Sequence, residues 1–162
     1  MNESTLIQVE ESLKNLSIRI GGEWSPSECK ARDKVAIIVP YRNREKNLNI
    51  FLRHMHKFLS KQLIEYGIFV IEPLSNLTFN RGLLMNIGFV ESLNLTNNKW
   101  DCFMFHDVDL LPENEQNIYS CPETPRHMSS AVSTFNYKLL YETIFGGVTS
   151  FTRDRDKSER FL

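Results

Sequence analysis

Two aspartates at the end of an apolar run are the most distinctive chemical feature of this chain. Asp107 and Asp109 follow residues 103–106, whose composition is typical of a buried strand. Side chains alternate along a strand, so residues two apart leave the same face. Carboxylates at a buried strand end need charge compensation, and a divalent cation shared with a substrate phosphate would supply it. The alternative is a solvated strand exit, because short motifs often match by chance.

A second polar cluster follows the apolar run 35–39 and contains two arginines with an amide between them. Arginine binds phosphate through a planar fork of N–H donors, and a tyrosine ring can lie along a flat base. The cluster therefore suits a diphosphate or a uracil, whereas the alternative is a helix N-terminus with ordinary surface arginines. Its members are Pro40, Tyr41, Arg42, Asn43 and Arg44.

A third cluster, Phe79, Asn80 and Arg81, opens a predicted helix. Phosphates bind at helix N-termini, where free backbone N–H groups point outward, and Arg81 would add a cationic donor there. Asn80 is also a favoured N-cap residue for backbone reasons alone. The two interpretations are compatible with each other.

Hydrophobic periodicity predicts the elements that position these clusters. Short apolar runs predict buried strands over 35–39, 68–71 and 102–106, with Gly67 ending the connection before the second strand. Apolar residues at three- and four-residue spacing predict helices over 44–62 and 81–93. This alternation is typical of an open α/β sheet, in which ligands bind at the carboxyl ends of the strands. The Pro40 and Asp107 clusters both fall at such ends.

The remaining segments are less regular. A short helix is predicted over 6–16, a long loop over 113–128, and further strands over 131–135 and 145–149. We divide the chain into a lead-in or stem-like segment at 1–34, a part at 35–152 that contains the predicted sheet and its polar clusters, and a charged tail at 153–162. His54 and His56 lie within a predicted helix, where we expect a structural role rather than a metal site.

Bulk properties exclude some function classes and leave the compartment open. The net charge of −1 over 162 residues argues against a nucleic-acid binder that relies on a basic face. No apolar stretch approaches the ~20 residues of a membrane helix, and no signal peptide opens the chain. These features alone would suggest the cytosol. However, glycosylation sequons begin at Asn2, Asn15, Asn76 and Asn94, and such a set fits a secretory lumen.

Three cysteines, Cys29, Cys102 and Cys121, leave at least one without a partner inside the chain. A disulfide between Cys102 and Cys121 would close the loop after the third strand and fix the approach to Asp109. The alternative is three buried free thiols in a reducing compartment.

Taken together, the motifs resemble the β-1,4-galactosyltransferase family, also called glycosyltransferase family 7. The resemblance runs from about Gly21 to Thr152. It rests on several blocks in one order, namely 35–44, 66–68, 79–81, 107–110, 125–127 and 145–148.

This resemblance implies a GT-A-like, Rossmann-like open sheet with helices on both faces, and an inverting glycosyltransferase of the Golgi. The Pro40–Arg44 and Phe79–Arg81 clusters would hold the UDP part of the donor, and Asp107 and Val108 would touch its ribose and sugar. Asp109 would ligate Mn²⁺. Galactose or N-acetylgalactosamine (GalNAc) would pass from its UDP-sugar, in β-1,4 linkage, to a terminal N-acetylglucosamine (GlcNAc) of glycoproteins or glycolipids.

The resemblance also implies a disulfide and a donor preference. Cys102 and Cys121 match a bonded pair of the family, whereas Cys29 matches a bonded cysteine whose upstream partner is not found here. Ile144, next to Phe145, Gly146 and Gly147, stands where galactosyl-transferring relatives carry tyrosine. A smaller side chain would leave room for an N-acetyl group, so GalNAc is the favoured donor. The alternative is that the residue differs only because of packing at a strand edge, with no effect on the donor.

The family pattern continues into an acceptor-binding segment that carries the catalytic base and, later, further metal ligands. We expect that segment and the amino-terminal membrane anchor to be missing from these residues, together with the C-terminal part of the fold. No catalytic residue is therefore assigned, and Asp109 alone would bind metal weakly. The competing hypothesis is a non-catalytic truncated form that binds UDP weakly or only associates with lumenal partners.

Overall fold

A computed structural model of the chain describes residues 5–74, 76–97 and 99–153. Its helices are α1 (Leu6–Leu13), α2 (Glu45–Ser60) and α3 (Arg81–Leu95), and 3₁₀ turns span Lys14–Leu16 and Ser133–Phe135. Its strands are β1 (Glu23–Trp24), β2 (Lys34–Pro40), β3 (Glu65–Ile71), β4 (Cys102–His106), β5 (Arg126–His127) and β6 (Val148–Thr152). The first sequon and the tail beyond Arg153 lie outside the described residues.

The strands form one mixed sheet in the order β1-β3-β2-β4-β6-β5. The central strand β2 pairs in parallel with both β3 and β4. The carboxyl ends of these three strands therefore meet at one edge of the sheet, as predicted. The outer strands β1, β6 and β5 are antiparallel to their neighbours.

Helices cover both faces of the sheet, which confirms the predicted α/β architecture. Odd-numbered residues of β2 pack in one core with Phe51 and Met55 of α2. The even-numbered Ala36 and Ile38 pack in a second core with Leu93 of α3. Each large apolar side chain buried in this way contributes roughly 1.5–3 kcal/mol to stability, so β2 is held firmly from both sides.

The lead-in segment is part of this fold rather than a separate stem. Helix α1 buries Val9 and Leu13 and packs against α2. Thr5 caps α1, with its hydroxyl accepting from the Gln8 backbone N–H, and β1 extends the sheet beside β3. No helix in the described ranges is long and apolar enough to cross a lipid bilayer.

The prediction that Gly67 ends a connection is wrong. Gly67 lies inside β3, opposite Ala36. A Cβ atom built on Gly67 would lie 2.8 Å from Cζ2 of the fully buried Trp100. Glycine stands within the strand because the indole occupies the space that a side chain would need.

The prediction of a strand over 131–135 is also wrong. Val132 is followed by a 3₁₀ turn, and Asn136 and Tyr137 have left-handed backbone conformations with φ of 52° and 57°. The strand predicted over 145–149 is shifted to Val148–Thr152. Gly147, with φ of +77°, ends the preceding turn and lets the strand begin.

Candidate functional site

The parallel strand ends bring the three predicted clusters together around one cavity of about 340 Å³. Every residue that lines it belongs to the set predicted from the sequence. The lining residues are Pro40, Arg42, Arg44, Phe79, Arg81, Asp107, Val108 and Asp109. The cavity thus combines three guanidinium groups, two carboxylates and one aromatic ring.

Asp107 is held firmly at the end of β4. Its Oδ1 accepts a hydrogen bond from Nε of Arg81 at 2.7 Å. Its backbone N–H donates to the carbonyl of Gly147 at 3.0 Å, and its own carbonyl accepts from Leu110 N–H at 3.3 Å. The negative charge of Asp107 is therefore already compensated by a guanidinium, and its side chain has a fixed direction.

Asp109 is much less constrained than Asp107. Its side chain is 52% exposed, and Oδ2 lies 3.9 Å from Nη1 of Arg44, which is itself 59% exposed. Such exposed pairs contribute little, about 0–1 kcal/mol. The carboxylate oxygens of Asp109 are thus available to a ligand in the cavity.

Arg42 fixes the loop that carries Phe79. Its guanidinium donates a hydrogen bond to the carbonyl of Leu77. Its Cζ atom also lies 5.6 Å from the centroid of the Phe79 ring, within cation–π distance. Arg42 therefore helps to set the position of one wall of the cavity.

Three predicted binding residues shape the site without lining it. Tyr41 donates its backbone N–H to Ile71, and its ring packs against the core beside α2. Asn43 has φ of 49°, a left-handed conformation that turns the chain between Arg42 and Arg44. Asn80 caps α3, with Oδ1 accepting from Leu83 N–H at 3.0 Å, which confirms the capping interpretation.

The predicted donor-selectivity residues do not line the cavity. Of the three, Gly147 is linked to it through its carbonyl, which accepts from the backbone N–H of Asp107. Ile144 is half-buried, and Gly146 accepts a hydrogen bond from Oγ of Ser129 at 2.8 Å. A Cβ on Gly147 would lie 2.4 Å from the same Oγ, so a side chain there would clash. The selectivity role of Ile144, Gly146 and Gly147 stays a prediction.

Sequence reasoning missed a buried pair behind the aspartates. Nδ1 of His106 donates to the carbonyl of Asp107 at 2.9 Å, and Nε2 accepts from the hydroxyl of Tyr119 at 2.8 Å. Because a carbonyl only accepts, the proton is assigned to Nδ1. Burial lowers the pKa of His106 to about 4 and raises the pKa of Tyr119. The pair joins the end of β4 to the loop that follows it.

A disulfide joins the same two segments. Cys102 and Cys121 are bonded, with their Cα atoms 5.4 Å apart, which confirms the predicted pairing. Cys29 is a free and exposed thiol. The alternative of three buried free thiols is therefore wrong. The spacing of these two cysteines around the aspartates was the one sequence signal that linked the loop to the strand.

Comparison with known proteins identifies the family. A model of the N-terminal region of glycosyl transferase group 7 matches residues 1–122, which is most of the chain. The chain belongs to the β-1,4-galactosyltransferase family.

Individual relatives agree with this assignment. β-1,4-Galactosyltransferase 4 of Cricetulus griseus is 44% identical over 94% of this chain and 44% of its own length. The human β-1,4-galactosyltransferase 4 is 48% identical over 83% of this chain and 38% of its own length. β-1,4-Galactosyltransferase 5 of Danio rerio is 44% identical over 94% of this chain. The chain spans 38% to 44% of the length of these curated relatives.

Solved structures confirm the GT-A-type fold. The catalytic domain of Drosophila β-1,4-galactosyltransferase 7, solved with xylobiose, has a TM-score of 0.64 and 32% sequence identity. The match covers 74% of this chain and 49% of that domain. A mutant of the same Drosophila enzyme, which matches equally well, was solved with manganese, UDP-Gal and xylobiose.

Proposed function

We propose that this chain binds the UDP part of a UDP-sugar, as the donor-binding half of an inverting β-1,4-galactosyltransferase. The observation that carries this proposal is the single cavity in which Arg44, Arg81 and Asp109 meet at the ends of parallel strands. Ligands of open α/β sheets bind at that edge. The Drosophila relative solved with manganese and UDP-Gal supports this donor class.

The arginines would bind the diphosphate. Arg44 is largely exposed at the cavity and presents its planar fork of donors. Arg81 donates through Nε to Asp107, which leaves its terminal N–H groups for a phosphate oxygen. Phe79 and Pro40 form an apolar wall beside them. Together these groups bind an anion with an attached ring in one orientation.

Transfer would be a single displacement with inversion. The acceptor hydroxyl oxygen forms a bond to the anomeric carbon, on the face opposite UDP. The bond between that carbon and the phosphate oxygen breaks, and UDP leaves with the electron pair. The hydroxyl proton passes to a general base. Residues 5–74, 76–97 and 99–153 contain no base that we assign, so their part in the reaction is to bind and orient the donor.

Asp109 fits a manganese ligand in its chemistry and exposure. Hard divalent cations prefer oxygen ligands, and a few carboxylates often share such an ion with substrate phosphates. When bound, Mn²⁺ supplies charge neutralisation for the leaving diphosphate. Across the described ranges, no group of three or more His, Cys, Asp or Glu side chains is arranged to hold a metal ion. Metal and nucleotide would therefore bind to this chain together rather than separately.

The donor sugar would be GalNAc rather than galactose. Ile144 precedes a segment that hydrogen-bonds to Asp107 through the carbonyl of Gly147, at 3.0 Å. An aliphatic side chain there, in place of tyrosine, removes a ring and a hydroxyl beside the donor sugar. A longer form of this protein carrying Ile144→Tyr should shift its preference from UDP-GalNAc towards UDP-Gal. An unchanged ratio of initial rates with the two donors would contradict the assignment.

The acceptor and compartment follow from the same proposal. The acceptor would be a terminal GlcNAc of a glycoprotein or glycolipid, and the enzyme would act in the Golgi lumen as a type II membrane protein in its full-length form. A disulfide between Cys102 and Cys121 supports an oxidising compartment, because cytosolic thiols are kept reduced. The sequons support the same location.

Calorimetric titration of UDP with and without Mn²⁺ tests the binding function. We expect UDP to bind at least tenfold more tightly with Mn²⁺, and Asp109→Asn to abolish that gain. Asp33→Asn is the matched control, since Asp33 precedes β2 at the opposite end of the strand. An affinity that is the same with and without Mn²⁺, or the same in Asp109→Asn, would overturn the proposal.

A further inference from the structure

We propose that a second cavity on this molecule binds a small ligand that carries a phosphate or sulfate group. The cavity has a volume of about 300 Å³ and lies between α2 and the segment that follows Asp109. It shares no lining residue with the donor cavity. Its volume is at the lower end of the range for small-molecule sites.

A row of cations lines one side of this cavity. Arg53, Lys57 and Lys61 are spaced four residues apart and lie on one side of α2 and its C-terminal cap. Within the described residues, the side chains of Arg53 and Lys57 have no hydrogen-bond or ion-pair partner. Like charges four residues apart repel each other on a helix, and an anion between them would relieve that repulsion.

Two acids also line the cavity, but each already has a partner. Glu115 forms an ion pair with Lys61. Glu113 accepts a hydrogen bond from the hydroxyl of Tyr137 at 2.9 Å. The hydroxyl of Tyr137 is neutral, so Glu113 keeps its negative charge. The three cations Arg53, Lys57 and Lys61 face two carboxylates, and the cavity lining therefore carries a net positive charge on its α2 side.

An apolar wall of Ile50, Phe58 and Pro112 completes the second cavity. The ring of His54 stacks on Phe58 with centroids 6.0 Å apart, and its Nε2 donates to the carbonyl of Pro112 at 2.8 Å. The imidazole is thus held in place across the cavity. An apolar wall next to two free cations suits an oxyanion attached to a ring or a short carbon chain, such as a sugar phosphate or sugar sulfate. Arg53 would bind the oxyanion through two parallel hydrogen bonds.

A site-resolved NMR titration tests this proposal. The probes are inorganic phosphate, glucose 6-phosphate and, as the uncharged control, glucose. We expect saturable shifts of the backbone amides of residues 50–61 and 113–115 with both phosphates, and none with glucose. Absence of saturable shifts at these amides with both phosphates, or equal shifts with glucose, would overturn the proposal.

Paired variants locate the binding. Arg53→Gln/Lys57→Gln should weaken phosphate binding at these amides at least fivefold. Lys30→Gln/Arg32→Gln removes the same two charges from exposed positions elsewhere and should leave the affinity unchanged. Equal weakening by both pairs would mean only a general charge effect and would refute the site. These residues are at or near the surface, and circular dichroism verifies that the variants fold.

Two further arms separate this site from the donor cavity and identify the source of the oxyanion. Arg44→Gln, in the donor cavity, should leave the phosphate affinity measured at the amides of residues 53–61 unchanged, although it shifts amides in the first turn of α2, which it caps. Failure of UDP binding and failure of this site therefore give different results. Tighter binding of glucose 6-phosphate than of phosphate would assign a sugar ester as the ligand. Equal affinities would assign free phosphate, and both outcomes support an oxyanion site.

Glu113→Gln should strengthen binding, and weaker binding in that variant would contradict the charge argument.

Discussion

Asp107 and Asp109 stand two residues apart, yet their neighbours give them different roles. Asp107 accepts a hydrogen bond from Arg81 at 2.7 Å and is tied to Gly147 through its backbone, so it acts as a fixed point of the site. Asp109 is half-exposed and lies 3.9 Å from Arg44. Asp109 has the more available oxygens, because one oxygen of Asp107 already accepts from Arg81. The sequence spacing placed both on one edge but could not distinguish them, because the distinction depends on a guanidinium that lies 26 residues away.

A buried histidine makes stability depend on pH. His56 is 4% exposed, and its Nδ1 lies 2.9 Å from the hydroxyl of Tyr66. Burial lowers the pKa of His56 from 6.5 to about 4. The unfolded chain therefore binds more protons than the folded chain between these values, so stability is lost as the pH falls from 6.5 towards 4.

We expect this histidine to cost about 2 kcal/mol of unfolding free energy between pH 7 and pH 4.5. His56→Gln removes this titrating group. Between pH 7 and pH 4.5, the unfolding free energy of the variant should therefore fall by about 2 kcal/mol less than that of the unmodified protein. Urea denaturation of both proteins at the two pH values measures the difference. Parallel pH dependence of the two proteins would show that His56 does not titrate in this way.

At the scale of elements, the site depends on how the loop after β4 is fastened. The Cys102–Cys121 disulfide ties this loop to a central strand, and His106 with Tyr119 forms a second connection a few residues further on. Closing a loop of this length restricts the unfolded chain and stabilises by about 3 kcal/mol. The disulfide therefore supports the edge of the sheet where Asp107 and Asp109 lie.

Replacing both cysteines tests this connection. Cys102→Ala/Cys121→Ala should lower the unfolding free energy by about 3 kcal/mol, measured by urea denaturation under oxidising conditions. Cys29→Ala is the matched control and should change stability by less than about 0.5 kcal/mol, because that thiol is exposed and free. A loss of stability that is equal in the two variants would contradict the role given to the disulfide.

The central elements were predictable because each carries a strong local pattern. Continuous apolar runs marked β2 and β4, and the spacing of Phe51 and Met55 marked α2. The two-residue strands β1 and β5 are too short to show any periodicity. Gly67 was misplaced because its reason for being glycine is Trp100, which reaches it from a distant segment. Local pattern therefore predicts the parallel core, and long-range contacts decide the edges.

At the scale of the whole molecule, the three clusters come from separate segments and meet only because β2, β3 and β4 are parallel. This convergence was predictable from fold class, since parallel strands place their carboxyl ends together. The second cavity was not predictable, because Pro112 and the face of α2 that it meets are brought together only by the tertiary fold. A net charge of −1 also hides the local excess of arginine at the donor cavity.

A crystal structure of this protein with UDP and Mn²⁺ tests the central claim most directly. We predict the diphosphate between Arg44 and Arg81, with manganese bound at the carboxylate of Asp109. The Asp107–Arg81 hydrogen bond should persist in that complex. Nucleotide bound at another place, or manganese bound away from Asp109 with UDP present, would contradict the account.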